Sequence, residues 1–263
     1  MVWIFLKRGF LRQISYRLAF WLGILNFVVG VVSFFYLSRL IQSGNTRLLA
    51  EYGNNAVAFL VVGTTFNTFV GVSLRAVAGQ IQNDQGVGVL EHILMGRVDL
   101  TRLAIYSALY DFVFSVALAC TSFVLLALVF QVPFTVNPAA LLIFLLSVLG
   151  ICGLGLLSAG VVLVTKQGDP ISMTLGLVAG FLSGVYYPLE VLPGWLAVIG
   201  YLLPTTYGLR ALRHALINGA SLTDLASDVA VLLLFAAVSV PLGLWSFHLG
   251  FNRARQQGTL SHY

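Results

Sequence analysis

Few side chains in this sequence have the type and spacing that catalysis requires. A phosphate-binding P-loop needs a lysine within Gly-Lys-Ser or Gly-Lys-Thr, but Lys7 follows a leucine and Lys166 follows a threonine. No His-Glu-x-x-His sequence occurs, and no serine lies in a recognisable nucleophile turn. These patterns predict no catalytic residue, no metal site and no ATP site within this chain. The dispersed histidines are His92, His214, His248 and His262.

The elements that position the remaining polar residues must lie in a membrane. Hydrophobic residues make up 59% of the chain and charged residues only 9%, whereas soluble domains carry about 25% charged residues. The excess apolar residues must therefore face lipid. The formal net charge of +5 does not indicate nucleic-acid binding, because the basic residues are scattered at the ends of apolar segments and form no stripe. Cys120 and Cys152 lie inside apolar runs, which favours buried structural thiols.

Six apolar stretches are long enough, or nearly so, to cross the membrane as helices. A crossing helix needs about 20 apolar residues, and the fifth stretch is somewhat shorter than this. The sequence therefore predicts an all-α membrane protein with a transmembrane domain over residues 18–251 and a tail over residues 252–263. The predicted spans are residues 18–41, 55–77, 103–130, 139–165, 171–187 and 229–250.

The distribution of basic residues predicts the orientation of these spans. Cytoplasmic loops carry an excess of Lys and Arg. With six spans both termini lie on one side of the membrane, and ten of the 14 Lys and Arg residues fall on that side. Both termini are therefore expected to be cytoplasmic. The first span is too long for a signal peptide, and no small-residue cleavage site follows it.

Two segments on the inner side have amphipathic patterns without crossing. Residues 1–17 place apolar side chains at helical spacing, so they predict a helix in the headgroup plane or, alternatively, a basic flank that fixes topology. In the inner loop 78–102, Val87, Leu90 and Leu94 fall at i, i+3 and i+7, which predicts a short amphipathic helix. Its apolar stripe needs a cover, either this protein's own helices or a partner.

The segment between the fifth and sixth spans, residues 188–220, is predicted to fold back within the outer leaflet. Pro188, Pro193 and Pro204 break any longer helix. The apolar stretch WLAVIGYLL between them would be only about 13 Å long as a helix, which is too short to cross. The aromatic residues suited to a membrane interface are Tyr186, Tyr187, Trp195, Tyr201 and Tyr207.

The helix predicted after this fold-back is amphipathic. Its leucines recur at helical spacing, and its basic residues fall between them. This pattern predicts a helical hairpin that is half buried. The leucine face comprises Leu209, Leu212 and Leu216, and the polar face comprises Arg210, Arg213 and His214.

Two sequences in these segments resemble the membrane subunit of ABC-2-type (type V) exporters. They are SGVYYPLEVLPGWLAVIGYLLPTTYGLRALRHAL before the last span and GVLEHILMGRVDL in the inner loop. With the six-span layout, the resemblance covers nearly the whole chain. One departure is that Arg97 and Val98 stand where many members of the family have a proline. A permease of this kind is expected in the plasma membrane, which in bacteria is the inner membrane.

The resemblance implies an assembly of two permeases and two cytoplasmic ABC ATPase subunits. Such an assembly exports a lipidic, amphipathic, saccharide-linked or drug-like cargo. ATP and Mg²⁺ would bind to the ATPases and not to this chain, and the second permease would be a second copy or a paralogue. In the family, the inner loop forms a coupling helix seated in a groove of the ATPase. The residues expected to make this contact are Val87, Leu90, Glu91, Leu94 and Arg97.

The outer hairpin is expected, from the same resemblance, to help close the exit. Glu190 is predicted to pair with Arg210 or Arg213. This pair either latches the outer gate or simply holds the hairpin in shape. The residues expected in the gate or hairpin are Tyr186, Tyr187, Pro188, Glu190, Pro193, Trp195, Arg210 and Arg213.

Polar and small residues inside the spans complete the predictions. Asn67 belongs to a row of Thr and Asn in the second span that is a candidate lining for a polar cavity. Asp111 lies inside the third span, where a charge at the bilayer centre costs about 3 kcal/mol. It serves either a cargo cavity or cation coupling, or it packs helices through hydrogen bonds. The glycines with close-packing spacing are Gly153, Gly155, Gly160, Gly176, Gly180 and Gly184.

A secondary transporter or channel that is not coupled to an ATPase is the alternative class. Such proteins usually need ionisable pairs within the membrane or inverted repeats, and the sequence has one acid inside a span and no convincing repeat. A membrane-embedded enzyme is a second rival, which the dispersed histidines disfavour. The sequence leaves open the cargo and the choice between a homodimer and a heterodimer of permeases.

Overall fold

The computed structural model describes residues 55–86, 119–121, 123–135, 137–165 and 169–256, together with positions 33, 36, 39, 113, 116 and 117. Within these residues the protein is helical and contains no strand. Three helices are long and apolar enough to cross a membrane: Ala56–Gly79, Pro138–Thr165 and Ala226–Arg253. They correspond to the second, fourth and sixth predicted spans, so the protein crosses the membrane more than once.

The helices follow one another in a simple order. The first predicted span and the N-terminal part of the third lie outside the described residues, apart from the isolated positions named above. The helices are α1 (Ala56–Gly86), α2 (Ala119–Val129), α3 (Pro138–Thr165), α4 (Pro170–Leu182), α5 (Gly194–Leu202), α6 (Pro204–Ile217) and α7 (Ala226–Gln256), with a 3₁₀ turn at Leu189–Val191.

The fifth predicted span ends earlier than its apolar sequence indicated. Helix α4 has 13 residues, which gives a length of about 20 Å, against the roughly 30 Å of a bilayer core. The chain leaves the helix because Gly184 adopts a left-handed backbone conformation with φ of +77°, which favours glycine. The prediction that Gly184 packs helices together is therefore wrong, since this glycine forms a turn.

Glycines hold α3 and α7 in close contact, as predicted for the fourth span. A Cβ atom on Gly153 would lie 2.6 Å from the carbonyl carbon of Ser239, and one on Gly160 would lie 2.5 Å from the carbonyl oxygen of Ser246. Only glycine permits such an approach between helix backbones. Gly155 has the same role against α1, because its Cβ would lie 2.7 Å from the carbonyl oxygen of Ser73.

Helix α6 lies among the longer helices and is more buried than a surface element would be. Leu209, Leu212 and Leu216 join the main hydrophobic cluster, which also contains Phe66 of α1 and Ile143 of α3. The predicted leucine face is therefore confirmed. The depth of α5 and α6 within the bilayer stays a prediction.

The turn between α2 and α3 caps the C-terminal end of α6. The Thr135 backbone N–H donates to the carbonyl of Leu216 at 2.8 Å, and Asn137 Nδ2 donates to the carbonyl of Ala220 at 3.0 Å. The last carbonyls of a helix have no partner within it, so these donors fix the position of α6. Gly219, with φ of +66°, completes the turn that leaves the helix.

Candidate functional site

The most constrained polar residue in the described part of the chain is Arg213 on α6. Its side chain is almost fully buried, with 3% of the residue exposed. Nη1 donates to the carbonyl of Gly184 at 2.8 Å, and Nη2 donates to that of Val185 at 3.0 Å. Nε and Nη2 also donate to the carbonyl of Phe59 at 3.3 and 3.2 Å. Arg213 thus connects α6 to α1 and to the turn after α4; we call these four residues the Arg213 clamp.

Two local features let the guanidinium reach its partners. Gly63 lies one turn after Phe59 on α1, and a Cβ atom there would stand 2.5 Å from Arg213 Nη2. The carbonyls of Gly184 and Val185 lie beyond the end of α4, where they have no helical partner. The guanidinium carbon also lies 3.4 Å from the centre of the Phe59 ring, a favourable placement for a cation.

The position of Arg213 corrects the predicted faces of α6. The sequence placed it on the polar face, away from the leucines. In the structure it is buried, because carbonyl groups of α1 and of the turn after α4 replace the water around its charge. A buried cation is tolerated only with such compensation, since desolvation costs several kcal/mol.

Arg210, one turn earlier on α6, forms an ion pair with Asp228 in the first turn of α7. Arg210 Nε donates to Asp228 Oδ2 at 3.2 Å, and Nη2 donates to Oδ1. The Asp228 side chain is buried, whereas that of Arg210 is partly exposed. Two parallel hydrogen bonds of this kind are the strong form of an arginine–carboxylate pair, so they fix α6 to the start of α7.

The predicted pairing of Glu190 is not what the structure shows. The carboxylate that contacts Arg210 belongs to Asp228, and the hydrogen bonds described for Arg213 go to backbone carbonyls. Asp228 lies on a helix that packs against α6, whereas Glu190 is exposed on the 3₁₀ turn. The buried Asp228 side chain therefore contacts Arg210 directly, whereas the exposed Glu190 side chain would lose conformational freedom in making the same contact.

Glu190 and both arginines nevertheless face one small cavity. Its volume is about 40 Å³, enough for one or a few water molecules. The cavity lies between the turn after α4, the 3₁₀ turn and the two helices of the predicted hairpin. Its lining residues are Ser183, Gly184, Pro188, Leu189, Glu190, Tyr201, Thr206, Arg210 and Arg213.

The other predicted hairpin residues lie around this cavity or at the surface. Tyr187 donates its hydroxyl to the carbonyl of Phe181 at 2.8 Å, which folds the turn back on α4. Trp195 is exposed on α5, which begins directly after Pro193. Tyr186 is exposed as well. These exposed rings are compatible with the predicted membrane interface.

Helix α1 carries a stripe of polar and small residues that is not fully packed. Thr64 and Thr68 donate to carbonyls of their own helix at 2.8 and 3.0 Å. Asn67 is half-buried, Arg75 is exposed, and a Cβ atom on Gly71 would meet no atom within 4 Å. At 100° per residue these five positions fall on one face, which we call the polar stripe.

Helix α4 carries an apolar stripe beside the polar one. Met173, Leu177 and Phe181 are all more than half exposed. The two helices meet where Gly180 faces Asn67, with 3.4 Å between a Cβ placed on the glycine and Asn67 Oδ1. Because the helices run antiparallel, the helical rotation places both stripes on the same side of their contact. The predicted cavity residue Asn67 thus lies at the border of a two-part surface.

Several predicted site residues fall outside the described residues. They are Val87, Leu90, Glu91, Leu94, Arg97 and Asp111. Among the residues that the structure does describe, no group of three or more His, Cys, Asp or Glu could hold a metal ion.

Three residues of these contacts were missed by the sequence reasoning. Asp228 and Gly63 have partners far away in sequence, so no local pattern identifies them. Asp169 caps α4 by accepting from the backbone N–H of Ser172 at 3.0 Å. The sequence does contain a signal for this last residue, since Asp before Pro170 is typical of a helix start.

Comparisons with known proteins show the family of this chain. The family model described as ABC-2 type transporter matches residues 1–217. The linearmycin resistance permease protein LnrN of Bacillus subtilis (strain 168) is 30% identical over 109 residues, which are 41% of this chain and 28% of that protein. The matched part is thus little more than a quarter of the length of that relative. With the family match and several membrane-crossing helices, the chain belongs to the ABC-2 type transporter family as a membrane-spanning permease.

Proposed function

We propose that this chain is the permease subunit of an ATP-driven exporter that moves an amphipathic cargo outward. The observation that carries the proposal is the pair of stripes on α1 and α4. A hydroxyl- and amide-bearing face adjoins an apolar face, and neither is fully covered within the described residues. A molecule with a polar and an apolar side complements such a surface.

The polar stripe is poorly suited to face lipid. Thr68 and Arg75 are both exposed, and an arginine inside a membrane span is costly unless water or protein surrounds it. The stripe therefore belongs to a water-filled path or to a contact with the second permease, either a copy or a paralogue. The apolar stripe of Met173, Leu177 and Phe181 suits a hydrocarbon or aromatic portion of the cargo, because methionine adapts to varied shapes.

The name of the matched relative supports a cargo of this class. The Bacillus permease is named for resistance to linearmycin, which is consistent with a drug-like cargo. Saccharide-linked cargo belongs to the same proposal as far as it is amphipathic.

The remaining architecture of the proposal follows the family. Six spans place both termini in the cytoplasm, residues 1–17 lie along the inner surface, and α5 and α6 form the hairpin at the outer surface. Cytoplasmic ABC ATPases bind ATP and Mg²⁺ and contact the loop 78–102. Closure of the ATPases pushes this loop and tilts α1, a shear-type transition.

In this arrangement the Arg213 clamp is the closed outer gate. It joins α6 to α1 and to the end of α4, so the exit between α1 and α4 opens only when these bonds break. Glu190 and Arg213 line the same cavity of about 40 Å³. In another conformation, the Glu190 carboxylate would accept the hydrogen bonds that the guanidinium now donates to backbone carbonyls. That exchange would be the latch.

A reconstituted complex tests the proposal. The permease and the ATPase of its cell are assembled in lipid vesicles, and export of an amphipathic dye and ATP hydrolysis are measured together. We expect dye export only with ATP. Replacing Leu90, Glu91 and Leu94 by serine should abolish export, and Glu190→Gln should raise hydrolysis without export. Thr165→Ala, whose hydroxyl bonds only to its own helix, is the matched control.

The outcomes separate the competing classes. Export that needs no ATP but follows an ion gradient would identify a secondary transporter. Export that persists unchanged after the triple serine replacement would reject coupling through the inner loop.

A further inference from the structure

A second polar contact joins the opposite end of α4 to its neighbours. Asp169 Oδ1 accepts hydrogen bonds from Ser158 Oγ of α3 at 2.5 Å and from the Ser172 backbone N–H at 3.0 Å. Ser172 Oγ in turn donates to the carbonyl of Leu74 on α1 at 3.0 Å. Ser158, Asp169 and Ser172, which we call the Asp169 joint, thus connect the consecutive helices α3 and α4 to α1, which lies about 100 positions earlier in the chain.

The geometry around Leu74 makes this joint a meeting point of backbones. A Cβ atom on Gly155 would lie 2.8 Å from the Leu74 carbonyl oxygen, so α3 approaches the same group from another side. The carbonyl oxygen has a second lone pair beyond its helical hydrogen bond. The Ser172 hydroxyl donates its hydrogen bond to this lone pair. Because Ser172 is only 2% exposed, water does not compete for the bond.

One oxygen of the joint makes no hydrogen bond. Asp169 Oδ2 is buried and has no hydrogen-bond partner among the described residues. A buried acceptor without a donor costs stability, and an asparagine would remove the charge while keeping the Oδ1 contacts. The contacts that join the helices are therefore those of Oδ1 and of Ser172.

We propose that the Asp169 joint makes α4 follow α1, so that Asp169 and Ser172 are positioning residues for export. Helix α1 ends at Gly86, inside the stretch 78–102 that is proposed to contact the ATPases, while α4 ends in the turn held by the Arg213 clamp. A displacement that enters α1 from the loop is passed to the start of α4 by the Ser172–Leu74 bond. It then reaches the outer turn, because α4 is a continuous helix. This inference rests on the proposed function.

The test uses variants that remove one bond at a time. Ser172→Ala deletes the bond to α1 but keeps the backbone cap of α4. Asp169→Ala deletes the bond to α3 and the cap, whereas Asp169→Asn keeps an acceptor for both. Thr165→Ala removes a hydroxyl at the same end of α3 that bonds only to Val161 of its own helix, so it is the matched control.

The first measurement is dye exported per ATP hydrolysed in the vesicle system. We expect Ser172→Ala and Asp169→Ala to lower this ratio about five- to tenfold, the shift that loss of one buried hydrogen bond gives an equilibrium between two conformations. Asp169→Asn and Thr165→Ala should keep at least half of the wild-type ratio. Hydrolysis itself should persist in every variant, because no residue of the joint binds ATP.

The second measurement tests the Asp169 joint by a distance and does not depend on export. Spin labels at the exposed positions Gln82 and Thr174, in a chain with both cysteines replaced by serine, give the α1–α4 distance with and without trapped nucleotide. In the otherwise native joint this distance should stay constant, since the joint holds these ends of α1 and α4 together. With Ser172→Ala it should change when nucleotide is trapped.

The failures are distinguishable. Wild-type ratios and a constant α1–α4 distance in both Ser172→Ala and Asp169→Ala would reject the joint alone. Loss of export in Asp169→Asn equal to that in Asp169→Ala would also reject it, because charge and not the hydrogen bonds would then be responsible. A wild-type permease without ATP-dependent export would reject the proposed function, and this inference with it.

Discussion

The helix pairs α3–α7 and α1–α4 are held together by different means. Between α3 and α7 the backbones touch at successive glycines, so that a Cβ on Gly153 or Gly160 would lie within 2.6 Å of the opposing backbone. Between α1 and α4 the contact is looser, since a Cβ on Gly176 would lie 4.0 Å from the nearest atom, Leu74 Cδ1. This second pair is completed by polar bonds at its two ends.

The difference indicates which pair can separate. Sliding or opening α3 and α7 would forfeit close contacts along the whole interface, and packed interfaces do not deform gradually. Opening α1 and α4 at the end held by the Arg213 clamp requires breaking its few hydrogen bonds, and it would widen the surface that carries both stripes. We therefore expect the α3–α7 pair to serve as a frame, and α1–α4, the moving pair, to part only at that end while the Asp169 joint holds the other.

The largest expected effect comes from removing the Arg213 clamp. Arg213→Leu leaves the carbonyls of Phe59, Gly184 and Val185 without this donor, at about 1 kcal/mol each, so the thermal midpoint in detergent should fall by several degrees. The thermal midpoint of Arg213→Lys should lie between those of the wild type and Arg213→Leu, because an ammonium cannot reach three carbonyls as the planar guanidinium does. Arg253→Gln, at an exposed position near the end of α7, is the control. If Arg213→Leu unfolds at the same temperature as the wild type, the Arg213 clamp does not stabilise the protein.

The burial of Arg213 could not be predicted from its own helix. The leucine spacing on α6 correctly indicates one buried face. The burial of Arg213 depends on Gly63, 150 positions earlier in the chain, and on the left-handed turn at Gly184. Such long-range compensation of a charge leaves no periodic signal, whereas the apolar lengths of α1, α3 and α7 follow directly from the thickness of the bilayer.

Two matched glycine substitutions compare how tightly the α3–α7 and α1–α4 interfaces are packed. Gly160→Ala places a Cβ 2.5 Å from the Ser246 backbone, so the helices must move apart, at a cost of about 2 kcal/mol. Gly176→Ala meets its nearest atom at 4.0 Å and should be neutral or slightly stabilising, because alanine is the better helix former. Thermal unfolding of the two variants measures the difference. Equal losses would mean that the two interfaces are packed alike.

The early end of α4 and the partner of Arg210 show where local sequence is insufficient. The apolar run continues through Val185, so length alone extends the span, but the turn at Gly184 and the Arg213 bonds determine the end. The Arg210–Asp228 pair spans two helices, and Glu190 was the acidic candidate within the motif although Asp228 is no farther away in sequence. The contact between Ser221 and Asp224 is local by comparison: the Ser221 backbone N–H donates to Asp224 Oδ2 at 2.9 Å.

The smallest expected effect concerns this turn, which lies just before α7 and outside its span. The hydroxyl and then the backbone N–H of Ser221 stabilise the carboxylate and hold the pKa of Asp224 below its ordinary value of 3.8. A lowered pKa means that the folded state favours the ionised form, so this stabilisation is fully present above about pH 4 and is lost as the pH falls below 3.8. Asp224→Asn should therefore melt slightly below the wild type at pH 7, with a difference that shrinks as the pH falls through the lowered pKa of Asp224. Because the side chain is exposed to water and screened, the shift should be far smaller than that of Gly160→Ala. A difference that persists unchanged once Asp224 is protonated would show that the asparagine disturbs the turn itself, and that the charge of Asp224 contributes nothing to the start of the frame helix.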